Sequence, residues 1–410
     1  MNKPELLAPA GDRERLHAAV RYGADAVYLG STRLGMRSAP QNFDGEALAQ
    51  AVDFCHQNGV RVYLTANVLA HNRDLIDADR FFITAKEAQV DAFIISDLGL
   101  FTLAQKYAPQ VEIHISTQMG VTNYEAANVL YEMGAKRVVL ARELSLDEIA
   151  ELRAKTPQEL EIECFVHGAM CVSFSGRCLL SNYLTGRDSN HGDCAQPCRW
   201  QYVLMEQTRP GQYFPITEDG GTYIMNSNDL CMIEHIPQLV SAGITSFKIE
   251  GRAKSAYYTA VVTNAYRAAI DGYLADPTED YKPQAWIVEE MAKMSNRGYC
   301  TGFYFNDSRD DAHIYLTGGY KRDWRVAAVV EKCENGRLYL SQRNRFFDGD
   351  EIEILSPGQE PIRLTAADMR NEAGEKIDCV PHPTMPFSLV FDGQVPAGSL
   401  VRMECGSGQQ

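Results

Sequence analysis

Short β-branched and aromatic runs alternate with amphipathic helical stretches over the first 250 residues, and this alternation most limits the possible folds. Eight runs are predicted to be strands: Glu5–Ala8, Ala26–Gly30, Arg61–Asn67, Ala92–Asp97, Val111–Gln118, Arg137–Arg142, Glu161–His167 and Ser246–Glu250. Strand–helix alternation with continuously apolar strands is typical of a parallel sheet that is covered on both faces. Eight such units predict an α/β fold, a (β/α)8 TIM-like barrel. A doubly wound open sheet is the alternative.

The spacing of the strands predicts the domain organisation. An insertion at about residues 168–225 separates the seventh strand from the eighth, so the barrel with its insertion is predicted to span residues 1–275. Residues 276–314 are predicted to form a linker and a helix. From residue 315 to 405, short alternating runs separated by turn signals predict a small, barrel-like all-β domain. In a barrel, the insertion would open onto the C-terminal face, where catalytic residues lie.

The composition limits the compartment and the partners. No stretch approaches eighteen apolar residues and the N-terminus lacks an apolar signal segment, so we expect a cytoplasmic protein with no membrane partner. A formal charge of −15 is opposite to that of a sequence-blind polyanion binder, so any contact with nucleic acid needs a local basic patch. Eleven cysteines in a reducing compartment indicate metal or redox chemistry rather than disulfides.

Four cysteines of the insertion form the densest chemical motif of the chain. Cys171, Cys178, Cys194 and Cys198 have the spacing C-x6-C-x15-C-x3-C. Four thiolates from one short region can surround a soft metal ion or an iron–sulfur cluster. The first spacing is long for a structural zinc site, which favours a cluster. A structural zinc site and inert buried thiols remain the alternatives, and Cys231, beside the insertion, is the reserve ligand.

The region around this motif resembles a known family. The segment Glu163–Ser181 is similar to the signature of peptidase family U32, the collagenase-like proteases, and the resemblance extends to Glu5–Gly11, Tyr223–Ser227 and Lys248–Arg252. The subgroup that the chain resembles most is that of the tRNA hydroxylation proteins. The resemblance implies hydroxylation of the wobble uridine of tRNA, at position 34, to 5-hydroxyuridine, in a reaction that depends on prephenate and not on dioxygen.

The resemblance also implies a cofactor and partners. It places a [4Fe-4S] cluster on Cys171, Cys178, Cys194 and Cys198, with the fourth ligand open between Cys198 and Cys231. Prephenate would be a co-substrate and tRNA the macromolecular partner. An electron donor or a partner subunit would complete the redox reaction.

Polar side chains at the predicted strand ends would converge at the mouth of a barrel. Arginine binds carboxylates with a bidentate fork, so Arg142, Arg177 and Arg252 are candidates for binding the dicarboxylate prephenate. Asn67 is a further substrate-binding candidate at a strand end. His167 and Glu250 are the candidates for catalytic proton transfer.

A basic segment near the start of the β-domain is the candidate RNA-binding site. Between residues 319 and 346, seven basic residues stand against three acidic ones. Aromatic residues of the same segment, including Trp324 and Phe346, are predicted to stack on unpaired bases. The alternative is a hairpin with a solvated charged face. The predicted RNA-binding residues are Lys321, Arg322, Arg325, Arg343 and Arg345.

Proteolysis is the competing function. The chain has no His-Glu-x-x-His motif and no Gly-x-Ser-x-Gly motif, so two common hydrolytic signatures are missing. A cysteine nucleophile at Cys171 with His167 as its base is conceivable, because the two residues are four positions apart. A U32-type peptidase is therefore the alternative to the tRNA hydroxylase.

Overall fold

A computed structural model describes residues 3–35, 42–170, 180–189, 192–200, 203–205, 213–215, 228–305 and 323–405. The elements of the first part of the chain are, in order, β1 (Glu5–Pro9), α1 (Arg13–Arg21), β2 (Ala26–Gly30), α2 (Glu46–Gln57), β3 (Arg61–Ala66), α3 (Ala78–Glu87), β4 (Ala92–Ile95), α4 (Leu98–Tyr107), β5 (Glu112–Ile115), α5 (Tyr124–Glu132), β6 (Arg137–Val139), α6 (Leu146–Ala154), β7 (Glu161–Ala169), α7 (Leu180–Thr185), β8 (Val203–Met205), β9 (Tyr213–Pro215), β10 (Asp229–Cys231), α8 (Ile236–Ser241) and β11 (Ser246–Ile249).

Eight parallel strands form a closed barrel. The strands β1 to β7 pair in parallel in sequence order, each with its neighbour. The strand β11 closes the barrel, because it pairs in parallel with both β1 and β7. Ser246 is the residue at this closure, because it is in register with Glu5 on one side and Glu163 on the other. The predicted TIM-like barrel is confirmed, and the open sheet is excluded. All eight predicted strands are barrel strands.

Local sequence signals account for where the helices begin. Asp12 precedes α1 and its side chain accepts a hydrogen bond from the amide of Arg15. Ser145 and Glu148 form a reciprocal capping box at the start of α6. Such caps satisfy amide groups that the first helical turn leaves without partners. They fix the point at which the chain leaves each strand, and hence the loops at the barrel mouth.

The insertion and the strand that follows it add further strands beside the mouth. β10 runs antiparallel to the last residues of β7, with Cys231 opposite His167. The strands β8 and β9 pair with each other in a separate antiparallel ribbon. The end of β7 is therefore flanked by β10, which follows the insertion.

The second part of the chain is two helices followed by a six-stranded antiparallel sheet. Its elements are α9 (Ala256–Ala275), α10 (Ala285–Ala292), β12 (Tyr299–Cys300), β13 (Trp324–Glu334), β14 (Arg337–Gln342), β15 (Glu351–Leu355), β16 (Ile362–Thr365), β17 (Pro386–Val390) and β18 (Leu400–Glu404). The sheet order is β16-β15-β18-β13-β14-β17. The predicted C-terminal β-domain is confirmed.

Charged side chains fill the amino end of the barrel interior. Arg137 lies 2.6 Å from Glu5 and 2.9 Å from Glu163, and Glu163 lies 2.6 Å from the ammonium of Lys248. All four side chains are almost fully buried. Paired and hydrogen-bonded charges are the form in which charge is tolerated in a protein interior. We call these four residues the ionic plug.

No helix in the described ranges is both long enough and apolar enough to span a membrane.

Candidate active site

The carboxyl ends of β6, β7 and β11 bring two predicted site residues together. The guanidinium of Arg142 donates to the carbonyl of Ala169 at 2.9 Å and lies 3.4 Å from the carboxylate of Glu250. It also stacks on the ring of Phe165, 3.9 Å from the ring centroid. Carboxylate, carbonyl and aromatic ring together hold the guanidinium in one orientation, which is what recognition of a planar anion needs.

Arg252 lies on the other side of the mouth, beside β2 and β3. Its guanidinium donates to the hydroxyl of Thr65 at 2.8 Å, and the whole residue is only 5% exposed. It packs against Gly30, where a Cβ atom would come within 2.4 Å of the guanidinium nitrogen. Gly30 therefore leaves the space that Arg252 occupies. Asn67 follows β3 at the same end of the barrel and is half-buried.

His167 lies beneath the mouth in an aromatic pocket rather than at its surface. The imidazole is almost fully buried, with the rings of Tyr258, Tyr266 and Tyr299 between 5.4 and 5.9 Å from its own. Burial, followed by the positive charge of Lys254, lowers the pKa of His167 to about 3. The imidazole is therefore neutral at pH 7, and it is a weak base.

Three polar atoms near the mouth are buried without a hydrogen-bond partner in the described part of the chain. They are the side-chain oxygen of Gln118 after β5, and Nε of Arg142 and Oε2 of Glu143 after β6. Burial raises the pKa of Glu143 above its ordinary value. Buried polar groups are normally satisfied, so such a group calls for a ligand or water. Both stand at predicted strand ends, Gln118 as the last residue of its strand and Glu143 just after the next one. The strand-end pattern therefore predicts them at the mouth, although neither was assigned a role.

Two of the four motif cysteines lie in the described ranges. Cys194 and Cys198 are half-buried in a short segment that ends in a 3-10 turn at Pro197–Arg199. The sulfur of Cys194 accepts a hydrogen bond from the amide of Gln196 at 3.4 Å. Amide donors of this kind stabilise thiolates that bind iron–sulfur clusters. Cys171, Cys178 and Arg177 lie outside the described residues. Within the described residues, no group of three or more His, Cys, Asp or Glu side chains could hold a metal ion.

Cys231 sits in different surroundings. Burial raises the pKa of its thiol to about 12, and the hydroxyl of Tyr266 hydrogen-bonds to it. A thiol with this pKa is protonated at pH 7, whereas the ligand of a metal is the thiolate. Cys198 stays the predicted fourth ligand, and Cys231 stays the reserve.

The predicted RNA-binding residues are partly placed. Arg343 and Arg345 are exposed, and Arg325 donates to the carbonyl of Arg345 at 3.4 Å. We call Arg325, Arg343 and Arg345 the basic edge. Lys321 and Arg322 lie outside the described residues.

The prediction that Phe346 stacks on bases is wrong. Its ring is fully buried in the core of the β-domain, where it meets the ring of Phe387 edge to face. Trp324 is also engaged, between the cations of Lys293 and Arg402. Phe346 lies in the connection between β14 and β15, and the exposed arginines near it, Arg343 and Arg345, concealed that its ring turns into the core.

Comparison with known proteins covers nearly the whole chain. The sequence model of Peptidase family U32 matches residues 11–314, and that of its C-terminal domain matches residues 322–402. The chain is 38% identical to tRNA hydroxylation protein P1 of Bacillus subtilis, over 98% of this chain and 94% of that protein. It is 36% identical to tRNA hydroxylation protein P of Escherichia coli, over 93% and 92% of the two chains. It is also 32% identical to a protein named collagenase from Porphyromonas gingivalis, over 91% of each chain.

Proposed function

The chain belongs to peptidase family U32, and we propose that it is a tRNA-modifying hydroxylase that converts the wobble uridine to 5-hydroxyuridine. The observation that carries the proposal is the 38% identity to tRNA hydroxylation protein P1 across 98% of this chain. The match includes the barrel, the insertion and the β-domain, so it is not limited to a shared scaffold. We place the reaction in the cytoplasm, without dioxygen and with prephenate as co-substrate.

A [4Fe-4S] cluster on Cys171, Cys178, Cys194 and Cys198 is part of the proposal. Support comes from the half-buried Cys194 and Cys198 and from the amide donor to the sulfur of Cys194. A bound cluster of this type supplies one-electron redox chemistry. Hydroxylation without dioxygen removes two electrons and two protons from the uridine and the oxygen source together, so the proposal requires an electron acceptor, such as a partner redox subunit, to close the electron balance.

Side chains at the mouth would bind and orient the small co-substrate. Prephenate carries two carboxylates, and Arg142 and Arg252 offer guanidinium forks on opposite sides of the mouth. Arg177 is the third proposed fork. Glu250 holds Arg142 and is the candidate for proton transfer. Glu143, whose pKa is raised, adds a carboxyl group that can donate a hydrogen bond when it is protonated.

Two further predicted residues take supporting parts in the proposal. Asn67 would donate to a substrate oxygen from the end of β3, close to Arg252. His167 would act as a neutral hydrogen-bonding imidazole under the mouth, because its low pKa makes protonation at neutral pH unfavourable.

The basic edge would hold the body of the tRNA. Its arginines neutralise phosphate charge in a chain that is otherwise acidic. Lys321 and Arg322 would extend the same surface. Replacing Arg325, Arg343 and Arg345 together by glutamine should weaken tRNA binding in a salt-dependent way. Unchanged affinity would contradict this part of the proposal.

Proteolysis is the second candidate, and the collagenase relative favours it. A cysteine protease needs a histidine that takes the proton from its thiol. His167 is the histidine closest in sequence to Cys171, but its imidazole is enclosed by three tyrosines and has a pKa of about 3. This environment weakens a base and therefore argues against the pairing.

The test is nucleoside mass spectrometry on tRNA from a host that lacks its own tRNA hydroxylases. Expression of the wild-type chain should produce 5-hydroxyuridine or nucleosides derived from it. Cys194→Ser should abolish them, whereas Cys333→Ser, a half-buried cysteine of the β-domain, should not. Cleavage of gelatin by protein that leaves tRNA unmodified would favour the peptidase instead.

A further inference from the structure

A buried ionic cluster joins the β-domain to α10, a helix that follows the barrel. The guanidinium of Arg402, on β18, binds both carboxylate oxygens of Glu290 on α10, at 2.5 and 2.6 Å. It also binds Glu353 on β15 at 2.6 Å. Lys293, at the end of α10, lies 3.0 Å from Glu290 and 2.8 Å from Glu353. We call Arg402, Glu290, Glu353 and Lys293 the interdomain lock.

The lock is buried, and its hydrogen bonds are directional. Arg402 is fully buried, and the side chains of Glu290 and Glu353 are at most 5% exposed. Charged hydrogen bonds in such an environment are short and directional, so they define one arrangement of the two domains. Backbone contacts reinforce it, because Leu355 accepts from the hydroxyl of Tyr22 on α1 at 2.9 Å and Gly358 donates to Asn264 on α9 at 2.7 Å.

The lock lies directly beside the basic edge. The ring of Trp324 stands between two cations of the lock, 5.0 Å from the Lys293 ammonium and 5.3 Å from the Arg402 guanidinium. Arg325 is the next residue of β13, and it holds the carbonyl of Arg345. The neighbouring Arg343 is tied to the same strand, because its amide donates to the carbonyl of Ala327 at 2.8 Å. Trp324, which contacts the lock, and Arg325, which belongs to the basic edge, are therefore consecutive residues of β13.

We propose that Arg402 is a positioning residue that fixes the basic edge at a set distance from the barrel mouth, so that a bound tRNA presents one loop nucleotide there. The inference rests on the proposed function. Its physical basis is that a bound substrate reacts fastest when its reacting group is delivered without a further search. A β-domain attached only by a loose contact would still bind tRNA but would not set this distance.

The variant that tests it is the double substitution Arg402→Met with Glu290→Met. It removes one positive and one negative charge and leaves Lys293 paired with Glu353, so no buried charge is stranded. The matched control makes the same exchange at an exposed ion pair of α6, Lys155→Met with Glu151→Met. Circular dichroism and thermal unfolding establish that both double variants are folded before activity is compared.

Two substrates separate positioning from chemistry. Full-length tRNA engages both the basic edge and the mouth, whereas an anticodon stem–loop oligonucleotide reaches only the mouth. The lock variant should lower kcat/KM on full-length tRNA roughly ten- to a hundredfold and leave kcat/KM on the stem–loop unchanged. Hydrogen exchange at Trp324–Val326 should rise in the same variant. The control variant should match the wild type in all three measurements.

The outcomes are distinguishable. Equal relative losses of kcat/KM on the two RNAs, or unchanged hydrogen exchange at β13, would overturn the positioning role while the proposed function stands. A wild-type protein that hydroxylates neither RNA would overturn the proposed function, and the positioning role with it.

Discussion

The two ends of the barrel interior differ in whether their buried charged groups have partners. At the amino end, the ionic plug pairs each of its carboxylates with a buried cation: Arg137 bridges Glu5 and Glu163, and Lys248 takes the other oxygen of Glu163. At the carboxyl end, Gln118, Arg142 and Glu143 each keep a buried polar atom without a partner in the described ranges. The charges of the plug are paired, although the buried neutral imidazole of His114 on β5, in register with Arg137, also lacks a hydrogen-bond partner in the described ranges. At the mouth, the unpaired atoms belong to a guanidinium, a carboxyl group and an amide.

The difference separates stability from function. A satisfied buried network specifies one arrangement of the strands, and removing a member strands its partners. Unsatisfied groups cost free energy in the folded protein and persist where a ligand repays that cost. In (β/α)8 barrels the carboxyl face is the catalytic one. The comparison thus favours the mouth around Arg142 as the candidate active site.

The largest effect should come from the plug. Arg137→Met should lower the free energy of unfolding by about 3–5 kcal/mol, because Glu5 and Glu163 would keep buried charges without their main partner. Urea unfolding measures it. Arg61→Met is the control, since Arg61 binds the same Glu5 with a side chain 45% exposed and should cost about 1 kcal/mol or less. Equal effects of the two substitutions would remove the distinction between the ends.

At the mouth, Arg142→Lys should lower activity and leave stability nearly unchanged. Lysine keeps the charge and loses the planar fork, so turnover should fall about a hundredfold while stability changes by about 1 kcal/mol or less. Steady-state kinetics on tRNA and urea unfolding are measured on the same preparation. The exposed Arg370→Lys in the β-domain should alter neither quantity. A large loss of stability in Arg142→Lys would show that the mouth is built like the plug.

Acid should weaken the fold through His167. Its pKa is about 3 in the folded state against an ordinary value of 6.5, so only the unfolded chain takes up the proton between those values. The stability that this residue contributes is complete above pH 6.5 and falls by about 1.4 kcal/mol per pH unit below it. Between pH 7 and pH 5, His167→Gln should lose about 2 kcal/mol less than the wild type.

The control for this pH dependence is His382→Gln, at an exposed site of the β-domain. It should follow the wild-type curve in urea unfolding at both pH values. A His167→Gln variant that loses stability in parallel with the wild type would show that the imidazole is not enclosed in solution.

The smallest effect should come from the hydroxyl that holds Arg252. Thr65→Val removes one hydrogen bond and should cost about 1 kcal/mol, together with a raised KM for prephenate. Thr102→Val, at an exposed site of α4, is the control for the change of residue type. A KM that stays at the wild-type value would remove Arg252 from the substrate site.

Local sequence predicted the barrel because each strand carries its own signal. The run Ala26–Gly30 is apolar throughout, as the interior of a parallel sheet requires. The burial of Arg402 on β18 has no such local signal. The strand alternates apolar residues with Arg402 and Glu404, and this alternation predicts that the charged side chains face solvent. Arg402 is buried only because Glu290, 112 positions earlier in the chain, supplies its counter-charge.

The same limit applies to the site. The strand-end rule predicted Arg142 and Glu250, which do meet. It could not predict that Gly30 makes room for Arg252, or that three tyrosines enclose His167, because these contacts join residues that are distant in the chain. The cysteine spacing predicted a metal centre whose first two ligands, Cys171 and Cys178, lie outside the described residues.

The most direct test of the proposed iron–sulfur function is anaerobic purification, followed by an absorption spectrum and iron and sulfide counts. The account predicts a brown protein with about four irons and four sulfides per chain, colour lost in Cys171→Ser and Cys194→Ser, and colour kept in Cys333→Ser. A colourless wild-type protein that binds zinc or no metal would contradict the redox function of the mouth.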